Sequence, residues 1–115
     1  MNRITLFARS SNENRVEEQL ARCRHIASSK GLPCEGANVL KDTCPRAADL
    51  IKRRPVYAQL LKNVRSGLCD LVVVDELIVL TSDIGEFAEL WTLVRAGALR
   101  LVTVDGVDTG WLPAR

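Results

Sequence analysis

Arg9, Ser10 and Ser11 set a guanidinium and two hydroxyls side by side where an apolar run, Ile4 to Ala8, gives way to a polar loop. At the carboxyl end of a strand, where loops and helix N-termini gather, either hydroxyl is a candidate nucleophile. The same residues have a plainer use: serines commonly end strands and bond turns, and Arg9 can pair with Glu13 or Glu17 at the surface. A serine-histidine-aspartate triad would have to pass through His25, the only histidine. Its helical spacing from Arg22 and Ser29 reads instead as a solvated surface position. Cys23, Cys34, Cys44 and Cys69 are separated by eleven, ten and twenty-five residues, which is not a metal-ligand pattern, and they read as structural thiols. Arg46, Lys52, Arg53, Arg54, Lys62 and Arg65 fall within twenty residues that hold only one acid, Asp49. That imbalance makes the stretch a candidate anion-binding surface rather than an ordinary solvated face.

The elements that must carry these residues alternate. Ile4 to Ala8 predicts a strand, and Val16, Leu20, Cys23, Ile26 and Ala27 predict a helix over Arg15 to Lys30 that Gly31 ends. Leu32 to Leu40 is a weaker second strand interrupted by Gly36, and Lys41 to Arg53 reads as loop. Pro55 suits the first turn of a second helix that directs Val56, Leu60, Leu61 and Val64 inward and stops at Gly67. Asp70 to Val74 is the continuous apolar run of a strand buried on both faces. Ser82 or Asp83 can cap a third helix, running to about Arg95, with Ile84, Phe87, Leu90, Trp91 and Val94 on one face. Leu99 to Val104 makes a fourth strand. A βαβαβαβ order predicts an α/β three-layer sandwich with a mainly parallel central sheet in a flavodoxin-like arrangement, whose strand ends form the usual site for chemistry.

Composition narrows the class. At 115 residues and 47% hydrophobic content the chain fits one domain, 1–115, with a real core. A net charge of +2 is only mildly basic, so charge alone does not argue for nucleic acid. No apolar run is long enough to span a bilayer and no signal-like segment opens the chain, so the reading is a cytoplasmic protein without a membrane partner.

Four stretches taken together resemble the N-terminal catalytic domain of serine recombinases, the resolvase and invertase family. They are Phe7-Ala8-Arg9-Ser10-Ser11, Glu18-Gln19-Leu20-Ala21-Arg22-Cys23, Arg54-Pro55-Val56-Tyr57-Ala58-Gln59-Leu60-Leu61 and Ser66-Gly67-Leu68-Cys69-Asp70-Leu71-Val72-Val73-Val74. Gly106-Val107-Asp108-Thr109 is similar to the family's stretch after the last central strand. The resemblance implies that Ser11 is the nucleophile position, with Arg9 and Arg54 the arginines that approach the scissile phosphate and Gln19 a supporting residue on the first helix. It makes DNA the partner, with Lys52, Arg53, Arg46 and Lys62 as backbone contacts, and it implies no metal or cofactor. The implied reaction is attack of the serine hydroxyl on a DNA phosphodiester, giving a phosphoseryl link and a free 3′ hydroxyl. An arginine aimed at such a transition state is worth about 10³ to 10⁵ in rate.

The resemblance breaks after the third strand. There the family carries aspartate, arginine, leucine and, two residues on, another arginine, whereas Ile78, Val79 and Ser82 stand at the three charged positions. No lysine or arginine occurs between Arg65 and Arg95, so no shift of register restores them. Losing one such cation costs about 3 kcal/mol of barrier. Being apolar, Ile78 and Val79 are expected to pack into the domain. Asp42 lies near the family's acidic position after the second strand, but its irregular spacing through Leu40 and Thr43 does not place it in the site. The expectation is a recombinase-like domain with impaired strand exchange. The alternatives are a non-catalytic module that oligomerises with itself or a related recombinase, and a flavodoxin-like phosphate-binding domain. The family continues into a long helix and a DNA-reading module, and without those parts DNA affinity should be weak and nonspecific. Leu90, Trp91, Trp111 and Leu112 are then candidates for an exposed patch that drives association.

Overall fold

A computed structural model describes residues 3–43, 55–81 and 83–110. Four strands and four helices alternate: β1 (Ile4–Ser10), α1 (Glu13–Ser29), β2 (Asn38–Thr43), α2 (Pro55–Arg65), β3 (Leu71–Val74), α3 (Leu77–Leu80), α4 (Ile84–Arg95) and β4 (Arg100–Thr103). The strands form one sheet in the order β2-β1-β3-β4, and every pair is parallel. Travel from β1 to β2 runs one way across the sheet and from β2 to β3 to β4 the other. With crossovers of a single hand, α1 therefore covers one face while α2 and α4 cover the opposite one.

The pleat sorts the core in the same way. Leu6, Ala8, Leu71, Val73 and Val102 meet Val16, Leu20, Cys23 and Ala27 of α1. Phe7, Val72, Val74 and Leu101 meet Leu60 and Val64 of α2 and Leu90 and Val94 of α4. All four residues of β3 are buried, as a strand with helices on both faces requires. The expected three-layer sandwich is thus the observed fold. Gly67 follows α2 at φ +80, a left-handed conformation that lets the Leu68 N–H reach back to the Asn63 carbonyl and close the helix end.

Three boundaries differ from the sequence reading. Residues 32–37 are not strand: the Ala37 N–H bonds the Cys34 carbonyl and Gly36 takes φ +77, which turns the chain. The second strand starts at Asn38 and continues past Leu40 to Thr43, because β1 runs beside it as far as Ser10. Leu77–Leu80, between the predicted third strand and third helix, is a one-turn helix of its own. Ile84 and Phe87 do not join Leu90 and Val94 in the core. Ile84 is 87% exposed and Phe87 38%. Of the expected patch, Trp91 is 40% exposed, but Leu90 is buried because it faces the sheet, and Trp111 and Leu112 lie outside the described residues.

His25 is exposed on α1, as its spacing predicts. Cys23, Cys34 and Cys69 are free thiols, and burial, reinforced by the nearby Asp75 charge, pushes Cys23 up to about 12. Among the described residues no group of histidine, cysteine or acidic side chains could hold a metal, and no helix is long and apolar enough to cross a membrane.

Candidate active site

The carboxyl end of β1 passes into α1 through Ser11 and Asn12. Asn12 caps the helix, its side-chain oxygen accepting from the Asn14 N–H at 2.9 Å, and Glu13 supplies an acid in the first turn. Ser10 is tied into the turn, its Oγ accepting from the Asn12 N–H at 3.1 Å. Ser11 is exposed beside the helix N-terminus. Ser10 thus bonds the turn, while Ser11 faces outward.

Arg9 is fixed through its backbone. β3 ends at Val74, opposite Phe7, so the edge of β1 beyond Phe7 has no strand beside it on that side. Gln19, buried on α1, fills the gap. Its Oε1 accepts from the Arg9 N–H at 2.9 Å and its Nε2 donates to the Arg9 carbonyl at 3.0 Å. An amide side chain in effect extends the sheet by one residue, and the supporting position on the first helix acquires a concrete task.

The Arg9 side chain does not pair with Glu13 or Glu17 as the surface reading expected. Its Nε lies 4.0 Å from Oδ2 of Asp42, with the side chains 12% and 11% exposed. Register explains the partner, since Arg9 and Asp42 sit directly across the β1–β2 pair. Glu17 instead accepts from Lys41 at 2.6 Å, which holds its carboxyl below the usual range. Asp42 therefore stands beside Arg9, where its irregular spacing in the sequence did not place it. The signal was present, but β2 had to run on to Thr43 before Asp42 could come level with Arg9.

The opposite wall is α3, which packs against β1 and β3. Leu80 is fully buried, and Leu77 and Val79 pack on the α2–α4 side of the core. Val79 thus behaves as its apolar character predicts, whereas Ile78 does not: it is 65% exposed, because a single helical turn has room for only part of its surface inside. At the end of β3, Asp75 accepts two hydrogen bonds from Arg22 of α1, both 2.8 Å, and keeps that guanidinium more firmly charged than usual. After α3 the buried Thr81 donates to Glu86 at 2.6 Å, while Asp83 caps α4 by accepting from the Glu86 N–H at 2.9 Å. Of the two candidate caps, Asp83 holds the position, and Ser82 lies outside the described residues.

The remaining site residues fall into two groups. Arg54 and the basic residues Arg46, Lys52 and Arg53 lie outside the described residues. Lys62 is exposed in the last turn of α2, which leads into the amino end of β3 and so toward the end of the sheet opposite Ser11. The structure brings Gln19 and Asp42 to Arg9, with Ser11 exposed two residues further along the chain.

Known proteins agree with this architecture. The family described as "Resolvase, N terminal domain" matches residues 4–111. The N-terminal catalytic domain of TP901-1 integrase superposes with a TM-score of 0.69 at 19% identity, covering 92% of this chain and 81% of that one. The C-terminal catalytic domain of ISC1926 TnpA, an IS607-like serine recombinase, gives 0.66 at 24% identity, covering 90% and 70%. A serine recombinase from Sulfolobus solfataricus gives 0.61 at 18% identity, covering 89% and 69%. No curated protein matches in sequence. The fold is thus a known one, and with the match spanning nearly its whole length the chain belongs to the resolvase N-terminal domain family, that of serine recombinase catalytic domains.

Proposed function

We propose that this domain is a DNA-recombination module that keeps the nucleophile's setting but not the charges that activate it, so that it engages the DNA backbone without efficient strand cleavage. The observation carrying this reading is α3. Where the resemblance calls for an aspartate and an arginine beside Ser11, the helix presents Ile78 to solvent and Val79 to the core. A phosphoryl transition state gathers charge on its non-bridging oxygens, and a side chain without donors offers nothing to stabilise it. Arg9 remains on β1, but its charge is offset by Asp42 at 4.0 Å. Arg9 with Arg54 can hold a phosphate, and the basic residues Arg46, Lys52 and Arg53 can supply further backbone contacts; binding then follows phosphate charge rather than base sequence.

Covalent capture tests the reading. The chain is incubated with a pool of duplexes nicked near random central sequences, and phosphoseryl-linked DNA is sought on denaturing gels alongside Ser11→Ala. The expected result is DNA binding that Ser11→Ala leaves unchanged and that Arg54→Ala weakens, with no covalent species from either protein. A covalent adduct that disappears in Ser11→Ala would establish an active recombinase and overturn the proposal.

A further inference from the structure

A cavity of about 510 Å³ opens between the start of β2 and the last turns of α2, at the end of the sheet away from Ser11. None of its lining residues is charged. The polar part of the wall is three carboxamides, Asn38, Gln59 and Asn63, and the apolar part is Leu40 and Leu68, the latter 56% exposed. Such a wall has no cation to neutralise a phosphate or carboxylate, so it suits an uncharged ligand. Gln59 and Asn63 stand one turn apart on α2, and Gln59 Nε2 donates to Asn63 Oδ1 at 2.8 Å. That bond leaves a donor on Asn63 Nδ2 and an acceptor on Gln59 Oε1 without a partner among the described residues. Reversing both amides would leave the same complement, one donor and one acceptor. Asn63 is only 6% exposed, and its main-chain carbonyl is fixed by the N–H groups of Leu68 and Cys69 and by the Ser66 hydroxyl. An amide so deeply buried that leaves an N–H unused on a cavity wall is a group waiting for an acceptor.

We propose that this cavity binds a nucleobase. Each of the four DNA bases carries a ring edge that presents a donor and an acceptor to the same side, which is what the free acceptor of Gln59 and donor of Asn63 require. A trans peptide unit points its N–H and C=O in opposite directions and satisfies only one of them. Leu40 and Leu68 supply apolar surface for a flat ring, and the volume accommodates a nucleoside. The base can belong to a free nucleoside or to an unpaired DNA strand, since the recognition chemistry is shared. The inference is independent of whether Ser11 reacts, because Ser11 lies at the other end of the sheet.

Nitrogen-15 correlation spectra of the full chain, titrated with each of the four deoxynucleosides, read the side-chain amides directly and report the fold of each variant. At least one nucleoside is expected to shift the Asn63 and Gln59 amide signals saturably at millimolar concentration. Gln59→Ala, at an exposed position, is expected to weaken that binding by about fivefold, as is Leu68→Ala, while Arg24→Glu on α1 leaves it unchanged. A single-stranded oligonucleotide that moves the same signals at lower concentration than the nucleoside assigns the site to DNA; one that binds no better assigns it to the free nucleoside. Amide signals that neither probe moves would overturn the proposal. So would shifts undiminished in Gln59→Ala, or shifts produced by a blocked dipeptide where no nucleoside produces them, which would make the cavity a peptide site.

Discussion

Gln19 does for Arg9 what a neighbouring strand does for the rest of β1. Removing its amide strands a backbone N–H and a carbonyl in a partly buried position, and an unsatisfied buried group costs more than the net value of the bond it loses. Gln19→Ala is expected to destabilise the fold by about 2 kcal/mol in urea unfolding. Asp108 gives a pH-dependent counterpart. It accepts two bonds from Arg100, at 3.0 and 2.8 Å, one from Lys30 at 2.9 Å and one from the Gly110 N–H at 2.9 Å. Arg100 foremost holds its carboxyl well below the usual range. Above the unfolded-chain value of about 3.9 the carboxylate is ionised in both states and its full stabilisation is present. As the pH falls below that value the unfolded chain takes up the proton first, so stability is lost. The gap in stability between wild type and Asp108→Asn is therefore expected to be widest near neutrality and to narrow below about pH 4, measured by urea titration at each pH.

At the scale of elements, the site depends on where α1 begins and β3 ends. Asn12 starts α1 immediately after Ser11, and Asp75 leaves the sheet one residue after Val74 to accept from Arg22 of the same helix. Among the described helices only α1 covers its face of the sheet, with Leu20 fully buried. Leu20→Ala is expected to cost about 2 to 5 kcal/mol by urea denaturation, since α2 and α4 lie across the sheet and cannot collapse into the cavity. α3 is the element on which the proposed loss of activity rests: it packs against β1 and β3, yet it presents Ile78 to solvent and Val79 to the core.

For the molecule as a whole, the charge balance sets how DNA is held. Net charge is only +2, and several cations are already engaged: Arg9 with Asp42, Arg22 with Asp75, Arg65 with Glu89, and Arg100 and Lys30 with Asp108. Duplex affinity measured by fluorescence anisotropy is expected to fall roughly tenfold between 50 and 200 mM salt if two phosphates are neutralised, and roughly fortyfold if three are. A drop of a thousandfold or more would signal a far larger cationic footprint than the proposal allows.

By itself the sequence determined the alternation of elements, the parallel sheet, the β1 turn and the family, because apolar periodicity and short local motifs suffice for these. It also showed a stretch without lysine or arginine between Arg65 and Arg95, since composition needs no fold to read. Tertiary structure decided what depends on register and on two-sided contact. Asp42 came level with Arg9 only when β2 extended to Thr43, Gln19 found its task only where β3 stopped short, and Leu90 and Trp91 parted to opposite fates across one helix. Such outcomes turn on which edge a strand leaves unpaired and which flank a helix leaves uncovered. Neither is a property of local sequence.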